Sequence, residues 1–351
     1  MAQSSVELFG IVDVAFASVK VNNGPKNTGL SNSGESSSRL GFRGTEDLGG
    51  GLKAGFWLES AINNDDNTTT IAFDRRSTVS LMGDFGEVRL GRDYTPTFWN
   101  DTQFDPFGTV GVGTSIISSA RGRADRTVAS AINPTYTRAN NSIGYHLPSN
   151  SMGIYGQFMY AFGENAQANG AATNNNNRYV GGRLGYANGP MNVALSYGKR
   201  NGPAVLDGTV TTTGGMAVDI TSTTLAASYD LGMVKLMGEY AQEKYAYDSN
   251  DKDKLKGWLL GAVAPVGNGL IKASYGQVKY DQGGKAKKLA LGYVHNLSKR
   301  TALYATYARV TNDDNSDLAV SARGLSYGVS TNAGVANETS TGYEFGVRHS
   351  F

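Results

Sequence analysis

The chain of 351 residues lacks several things: it has no cysteine, only 8 prolines, and a formal net charge of only +2. It also has no apolar run near the roughly 18 residues that a membrane-spanning helix needs. The absence of cysteine excludes disulfide bridges and is compatible with an oxidising compartment. The small net charge gives no sign of a nucleic-acid or membrane-surface partner. The chain therefore either avoids membranes or crosses them as strands.

Glycine and tyrosine are abundant, with 46 and 19 residues, and apolar and polar residues alternate with the period of two that is typical of β-strands. In residues 6–16, apolar side chains share one face, whereas Glu7 and Asp13 share the other. Residues 38–44 repeat the pattern, and a glycine-rich turn joins them to residues 53–59. This arrangement predicts a β-hairpin.

The same unit recurs to the end of the chain and predicts about sixteen strands, an even number as in single-chain outer-membrane barrels. The predicted strands span residues 6–16, 38–44, 53–59, 76–82, 87–92, 135–146, 153–162, 179–187, 192–200, 223–229, 234–243, 257–264, 271–280, 288–295, 301–310 and 342–351.

The connections between these strands are of two kinds, which alternate. One set is short, with Gly, Asn, Asp or Pro at its centre; the other is long and polar, as in residues 164–178, 201–219 and 311–339. Short turns at one rim and long loops at the other indicate an up-and-down barrel with both termini at the short-turn rim. We expect one domain over residues 1–351. The first residues do not resemble a signal peptide, so we expect a mature chain with an added start residue.

The two faces of the strands differ in a way that favours a transmembrane barrel over a soluble β-sandwich. The apolar face is rich in Tyr, Gly and Ala, and its aromatic residues gather near strand ends, as in the aromatic girdles of membrane barrels. The other face carries ionised groups, which are almost never buried unless they are paired. That face must be wet, and about sixteen strands enclose an aqueous channel. The predicted lumen-lining residues include Arg43, Arg183, Arg200, Lys272 and Lys288.

The longest gap between predicted strands, residues 93–131, mixes glycine with aromatic residues. Its first part carries Asp101 and Asp105, and its last part is mainly basic. Loops longer than about 15 residues tend to be functional or disordered, and this one is too aromatic for a disordered linker. We therefore expect this loop to serve the function of the protein.

Five segments together resemble the general trimeric porins of Gram-negative outer membranes, specifically the β-proteobacterial kind that includes anion-selective members. They span residues 6–13, 38–52, 91–94, 293–301 and 345–351. The resemblance covers essentially the whole chain. It implies an all-β fold, a 16-stranded antiparallel transmembrane β-barrel with short periplasmic turns, long extracellular loops and a third loop folded into the lumen. It also implies a homotrimer in the outer membrane, in contact with its lipid and lipopolysaccharide.

The resemblance further implies a constriction in which acidic residues of the third loop face an arginine cluster on the wall. Matched by motif, the wall candidates are Arg39, Arg76, Arg92 and Arg138, and the loop candidates are Asp101 and Asp105.

The alternation of the strands tests three of these assignments. It agrees for Arg39 and Arg138, which fall on the polar face. It disagrees for Arg92, which shares the register of apolar residues and would face outward unless a bulge intervenes. Arg89 is the alternative to Arg92.

The expected function is passive diffusion of ions and small hydrophilic solutes, with a preference for small anions. Arginines in the constriction would raise the local anion concentration, while the loop aspartates would supply a transverse field. Alternatively, each arginine pairs with a nearby carboxylate, and the channel is weakly selective or specific for one substrate. A third hypothesis is a barrel enzyme such as a hydrolase, because residues 324–328 match the G-x-S-x-G pattern.

Other functional signals are weak. The three histidines lack ligand spacing, which argues against a metal site, and no nucleotide-binding motif is present, so no cofactor is expected. The lysines between residues 252 and 288 flank loops beside aspartates. They are better explained as solvated or lipopolysaccharide-facing charge than as a nucleic-acid site.

Overall fold

A computed structural model describes residues 4–64, 71–121, 136–163, 178–201, 219–246, 252–281, 283–325 and 335–351. The chain forms a closed antiparallel β-barrel, as predicted. Its strands are β1 (Ser4–Val21), β2 (Lys26–Asn32), β3 (Arg39–Gly49), β4 (Leu52–Ala61), β5 (Arg76–Gly83), β6 (Gly86–Tyr94), β7 (Arg138–His146), β8 (Ile154–Ala161), β9 (Tyr179–Asn188), β10 (Met191–Arg200), β11 (Asp219–Asp230), β12 (Lys235–Ala246), β13 (Lys252–Val266), β14 (Gly269–Tyr280), β15 (Lys285–Asn296), β16 (Thr301–Asp313) and β17 (Ser340–Ser350).

The seventeen segments occupy sixteen positions in the barrel wall, because β2 and β3 follow one another along the same edge of β1. The other edge of β1 pairs with β17 and closes the barrel. The predicted count of sixteen is therefore confirmed, although the sequence pattern did not reveal β2 as a separate segment. Several strands also run beyond their predicted ends, β1 by five residues at its C-terminal end.

The short interruption between β2 and β3 is fixed by one buried carboxylate. Oδ2 of Asp13 accepts hydrogen bonds from the backbone N–H groups of Glu35 and Ser36, at 2.9 and 2.6 Å. Oδ1 of Asp13 accepts a further bond from the Tyr304 hydroxyl at 2.5 Å. A carboxylate with several donors is held firmly, so this segment keeps a defined position at the barrel interior.

Burial along the strands follows the alternation read from the sequence. Outward side chains such as Val6, Leu184 and Leu260 are 73%, 59% and 61% exposed, as expected for a surface that contacts lipid. The alternate residues face inward, and they include buried charged groups such as Glu239, Lys288 and Glu344. No helix among the described residues is both long and apolar enough to cross a membrane.

The predicted loop at residues 93–131 folds into the barrel, and two short helices form within its described part. Helix α1 (Pro96–Phe104) packs against β9–β11, and helix α2 (Ile116–Arg121) packs against β13–β15. The side chain of Thr95 caps α1 by accepting a bond from the Phe98 N–H, and Pro96 occupies its first turn. A Thr–Pro pair is a recognised helix start, so the sequence held a signal for α1 that the prediction of an irregular loop overlooked.

A β-bulge lies where β6 leads into this loop. The pairing of β6 with β7 shifts register between Gly91 and Asp93. Gly91 has φ +124°, and a Cβ placed there would lie 2.1 Å from the carbonyl oxygen of Ser77. Only glycine fits such a site. The bulge leaves Arg92 on the outward side and turns Asp93 inward, where it is buried.

Replacing Gly91 with alanine is expected to cost about 3 kcal/mol of unfolding free energy, the upper end for a strained backbone position. The control is Gly267→Ala, because Gly267 also has positive φ but no atom lies within 4 Å of the Cβ that alanine would add. That variant should lose only about 1 kcal/mol. Urea unfolding in detergent, followed by tryptophan fluorescence, measures both losses. Equal losses would show that the bulge does not depend on close backbone approach.

Candidate functional site

A cavity of about 800 Å³ lies inside the barrel between the infolded loop and the opposite wall. The wall side is basic, and the described residues on the loop side are uncharged. The basic residues are Arg39, Arg43, Arg75, Arg76, Arg138 and, from the connection after β16, Arg323. The loop contributes Phe98, Trp99, Thr102, Gly108, Thr109, Val110, Thr114, Ser118 and Ser119. The passage is thus bounded by guanidinium groups on one side and mainly by hydroxyl groups and apolar rings on the other.

The ring of Trp57 on β4 holds two of these arginines. The guanidinium carbons of Arg43 and Arg76 lie 5.1 and 4.4 Å from its ring centroid. Such cation–π contacts are attractive without neutralising the charge. Trp57 therefore orders both side chains without neutralising them, although a carboxylate lies near each: Glu7 pairs with Arg43 at 2.8 Å, and Asp93 lies 3.7 Å from Arg76.

The hydroxyl of Tyr94, at the end of β6, connects two further arginines. It accepts hydrogen bonds from Nη2 of Arg75 at 2.6 Å and from Nη2 of Arg138 at 2.7 Å. The Arg138 guanidinium carbon also lies 4.3 Å from the Tyr94 ring centroid. Tyr94 thus fixes two like-charged groups close together; of the two, Arg75 is also paired with the Glu59 carboxylate, whereas the contact of Arg138 with Tyr94 leaves its charge in place.

Only two carboxylates line the cavity among the described residues, and each is bonded to a cation. Glu59 pairs with Arg75 at 2.6 Å, and Glu35 pairs with Lys272 at 2.7 Å. The lining holds six arginines and two glutamates, and two carboxylates from outside it lie beside these arginines, Glu7 at 2.8 Å from Arg43 and Asp93 at 3.7 Å from Arg76. Arg138 bonds to the Tyr94 hydroxyl and to no carboxylate among the described residues. The hypothesis that every arginine is paired with a carboxylate is therefore not the arrangement of this wall.

Asp101 does not face the arginine wall, contrary to the expectation from the sequence. It is fully buried on the far side of α1, where its carboxylate accepts two bonds from Nη1 of Arg121 at 2.7 and 2.8 Å. It accepts another from the Tyr136 hydroxyl at 2.8 Å. Arg121 in turn donates to the Thr224 hydroxyl on β11 at 3.0 Å. The aspartate fastens the loop to the wall behind it.

Asp105 is also turned away from the arginines. Its carboxylate accepts bonds from the backbone N–H groups of Phe107, Thr109 and Ser115 at 2.9 to 3.0 Å, which folds the loop between the two helices. Burial raises the pKa of the Asp105 carboxyl above its ordinary value, although the three donors oppose that shift. Both predicted acidic residues of the constriction therefore have positions suited to shaping the loop.

Arg92 lies outside the cavity, as the strand alternation indicated. Its guanidinium bonds to the backbone carbonyl of Asp74 and to the Asn140 side chain on the outward side. Arg89 is inward, but it lies below the constriction and is paired with Glu87 at 2.9 Å and with Asp93 at 2.5 Å. Neither is a free charge at the narrow cavity. Arg75, beside Arg76, takes the place that motif matching gave to Arg92.

Arg39, Arg76 and Arg138 do line the cavity. Arg138 lines the cavity for a reason other than strand alternation. Its neighbour Ala139 is buried inside the barrel against Met159, because the bulge shifts the register of β7. Arg138 reaches the cavity through its contacts with Tyr94. It lies at the cavity as expected, but the strand alternation that led to this expectation does not explain its position.

The five predicted lumen-lining residues separate into two groups. Arg43 lines the cavity and pairs with Glu7 at 2.8 Å near the short-turn rim. The other four are inward but lie outside the cavity lining. Arg183 bonds to Asn100 and Gln103 of α1; Arg200, Lys272 and Lys288 are largely buried.

Sequence reasoning missed Arg75, Trp57 and Tyr94. The sequence did contain a signal for Arg75, because Arg75 and Arg76 are adjacent at the start of β5 and either residue could face inward. Trp57 shares its strand face with Glu59, which alternation had already assigned to the polar side. In the described part of the chain no group of three His, Asp or Glu residues could hold a metal ion. The serine of the G-x-S-x-G match, Ser326, lies outside the described residues.

Comparison with known proteins decides the family. The Gram-negative porin model matches residues 1–315. The chain belongs to the Gram-negative porin family. It is 46% identical to outer membrane porin protein 32 of Delftia acidovorans over 358 aligned positions, covering 100% of this chain and 95% of that protein.

Solved structures agree with this assignment. The anion-selective porin from Comamonas acidovorans superposes with a TM-score of 0.86 at 43% identity, covering 99% of this chain and 100% of that one. The trimer form of OmpT from Vibrio cholerae has a TM-score of 0.67 at 13% identity over 99% of both chains, which is a likeness of fold alone. The protein is an outer-membrane porin, not an enzyme.

The Asp101–Arg121 pair is expected to hold the loop in place. Replacing Asp101 with alanine leaves Arg121 buried without its closest carboxylate, which should cost about 3–5 kcal/mol of unfolding free energy. In single-channel recordings the loosened loop should produce larger current noise. The control is Thr102→Ala on the cavity side of α1, which should change neither quantity much. If the two variants behave alike, the pair does not hold the loop.

Proposed function

We propose that this porin is a channel for the passive diffusion of ions and small hydrophilic solutes that prefers anions. The observation that carries the proposal is the one-sided charge of the cavity, whose described lining holds six arginines and two carboxylates. A low-dielectric wall concentrates the field of such a cluster within the passage. Arginine suits the role because its guanidinium stays charged when crowded against other cations.

The electric field in this proposal comes from the arginine wall alone. It differs from the transverse field between arginines and loop aspartates that was expected from the sequence. Because Asp101 and Asp105 are buried in the loop, the side opposite the arginines contributes hydroxyl groups such as those of Thr102 and Thr114. Among the described residues, the carboxylates that weaken the arginine potential are Glu35 and Glu59 on the lining, together with Glu7 and Asp93, which lie beside Arg43 and Arg76. A passing anion exchanges water for guanidinium donors on one side and hydroxyl donors on the other. The relative from Comamonas acidovorans, described as anion-selective, supports the same preference for this chain.

Two alternatives have different consequences. A weakly selective porin would conduct potassium and chloride about equally despite the arginines. A substrate-specific porin would show saturable transport of one solute. The neutral loop face with several hydroxyl groups favours general anion passage, because no described group in it has the fixed charge that a single substrate would need.

The double variant Arg39→Ser, Arg138→Ser should lower the chloride-to-potassium permeability ratio by several-fold, since it removes two of the six lining charges. The matched control is Arg92→Ser, which removes the same charge from the outward side of the barrel. The measurement is the zero-current potential in a planar bilayer under a KCl gradient.

An unchanged ratio in the double variant, or an equal change in the Arg92 variant, would contradict the proposal. The first result would mean that the arginine wall does not set selectivity. The second would mean that overall charge, and not charge at the cavity, determines it.

The proposal includes the partners of the barrel. We infer a homotrimer in the outer membrane, supported by the trimeric fold relative and by small and apolar outward residues on the first strands. We also infer contact with membrane lipid and lipopolysaccharide. Native mass spectrometry in detergent tests the trimer: a mass of one chain would contradict it.

A further inference from the structure

The two faces of helix α1 are reversed relative to the usual preference of a helix beside water. Its two largest exposed apolar side chains, Phe98 and Trp99, are half-buried and line the passage. Apolar side chains ordinarily turn away from water, and polar ones turn toward it. Here the residues buried against the barrel wall, at helical spacing, are Thr97, Asn100, Asp101 and Phe104.

The attachment of the loop explains the polar half of this reversal. Asn100 donates to the backbone carbonyl oxygens of Ala194 and Thr224, at 3.4 Å each. The Asp101 carboxylate binds Arg121 on the same side of the helix. Buried polar groups need such partners. The rings on the other side of the helix take no part in these bonds, so the attachment does not explain why they face the passage.

The two rings continue a row of aromatic side chains that reaches the arginine wall. The Tyr94 ring is stacked on Phe98 with the centroids 5.4 Å apart, and it lies 5.2 Å from the Trp99 ring. On the wall side, the Arg138 guanidinium carbon lies 4.3 Å from the centroid of the same Tyr94 ring. We call Tyr94, Phe98 and Trp99 the aromatic row. At its wall end, apolar rings are thus adjacent to a cation.

Hydrogen-bond donors remain available at both ends of the aromatic row. Among the described residues, Arg138 donates only to the Tyr94 hydroxyl, through Nη2, although a guanidinium carries five N–H donors. The indole N–H of Trp99 donates to no residue that the structure describes, although such a group usually has a partner. A solute in the passage can therefore accept hydrogen bonds beside the rings.

This combination of groups suits an aromatic anion better than an inorganic one. The face of an aromatic ring is negative and does not replace the water that chloride loses. A flat ring that carries a carboxylate gains at both ends, because the carboxylate accepts from the planar guanidinium and the ring packs on the aromatic row. The cavity, at about 800 Å³, has room for such a solute.

We propose that the aromatic row and Arg138 form a binding subsite for small aromatic carboxylates, the class of benzoate. The ring of the solute lies against Phe98 and Trp99, and its carboxylate binds Arg138. The channel then favours these solutes over non-aromatic anions of the same charge, while other anions still pass. The subsite rests on the proposed anion preference of the channel and names the kind of anion that is preferred.

The alternative is that the two rings only hold Tyr94 in place. Tyr94 already accepts bonds from Arg75 and Arg138 at 2.6 and 2.7 Å, so its position does not depend on the rings alone. The two roles also differ in what they require. Packing against Tyr94 needs an apolar side chain, whereas recognition of an aromatic solute needs a ring. Replacement of a ring by leucine therefore separates them.

The test measures how strongly benzoate reduces the chloride current of single channels of the full-length porin in a planar bilayer. The comparison solute is cyclohexanecarboxylate, which has the same charge and a ring of similar size that is neither flat nor aromatic. The variant is Trp99→Leu, which removes the ring and keeps an apolar side chain. The matched control is Trp258→Leu, the same change on the outward side of β13, where Trp258 packs on Tyr275.

In wild type we expect benzoate to halve the current at a concentration about two- to tenfold lower than cyclohexanecarboxylate does, the range of one aromatic contact. Trp99→Leu should remove most of this difference, and Trp258→Leu should keep it. Trp99→Phe, which restores a ring, should recover most of it. Phe98→Leu should show the same kind of loss and serves if Trp99→Leu does not fold. Arg138→Gln should weaken the effect of both carboxylates about tenfold, because it removes the charge that binds them.

Equal effects of the two carboxylates on wild type would overturn the subsite, as would a Trp99→Leu variant that keeps the difference or a Trp258→Leu control that loses it. The zero-current potential under a KCl gradient, recorded on the same proteins, separates this result from the proposed function. Trp99→Leu removes no charge and should keep the wild-type potential. A wild type that prefers chloride but does not distinguish the two carboxylates would overturn the subsite alone. A wild type that prefers potassium would overturn the anion preference and the subsite with it.

Discussion

The buried ion pair between Asp101 and Arg121 is the interaction on which the channel depends. It joins the two helices of the infolded loop and, through Thr224, ties them to β11. Breaking a buried pair is costly, because the remaining charge has no water to solvate it. The loop therefore has one position against the far wall, and the space left on its other side is the passage.

The same pair determines the charge of that passage. By taking Asp101 into the protein interior, it removes the acidic group that would otherwise oppose the arginines. Asp105 is taken up in the same way by the backbone of its own loop. Trp57 and Tyr94 order the arginines through aromatic and hydroxyl contacts, neither of which neutralises them. The constriction is thus electrically one-sided for structural reasons. The two aspartates of the loop stabilise its fold, and the arginines lie on the opposite wall, where Glu59 pairs with Arg75 and Glu7 with Arg43.

Much of the fold was predictable because a strand between lipid and water must alternate, and the inward position of Arg39 follows from alternation alone. The failures have physical causes. Alternation cannot detect the bulge between Gly91 and Asp93, which shifts the register of β7, so Arg138 reaches the cavity for a reason that alternation did not supply. Alternation placed Arg92 on the outward face, and it was motif matching that assigned Arg92 to the constriction. Alternation also gives no information about a loop, where Asp101 and Asp105 could point to either side. Burial of a charged side chain against a specific partner depends on tertiary packing, so motif matching placed these residues by analogy and missed Arg75.

The most direct measurement is the zero-current potential, under a KCl gradient, of the wild-type channel beside a Thr114→Asp variant. Thr114 lines the loop face, whose described lining residues are uncharged, so an aspartate there adds a negative charge opposite the arginines. The account predicts that wild type passes chloride in preference to potassium and that the variant shifts toward potassium. A wild-type channel that prefers potassium, or a variant that keeps the wild-type potential, would contradict the claim that an unopposed arginine wall controls the passage.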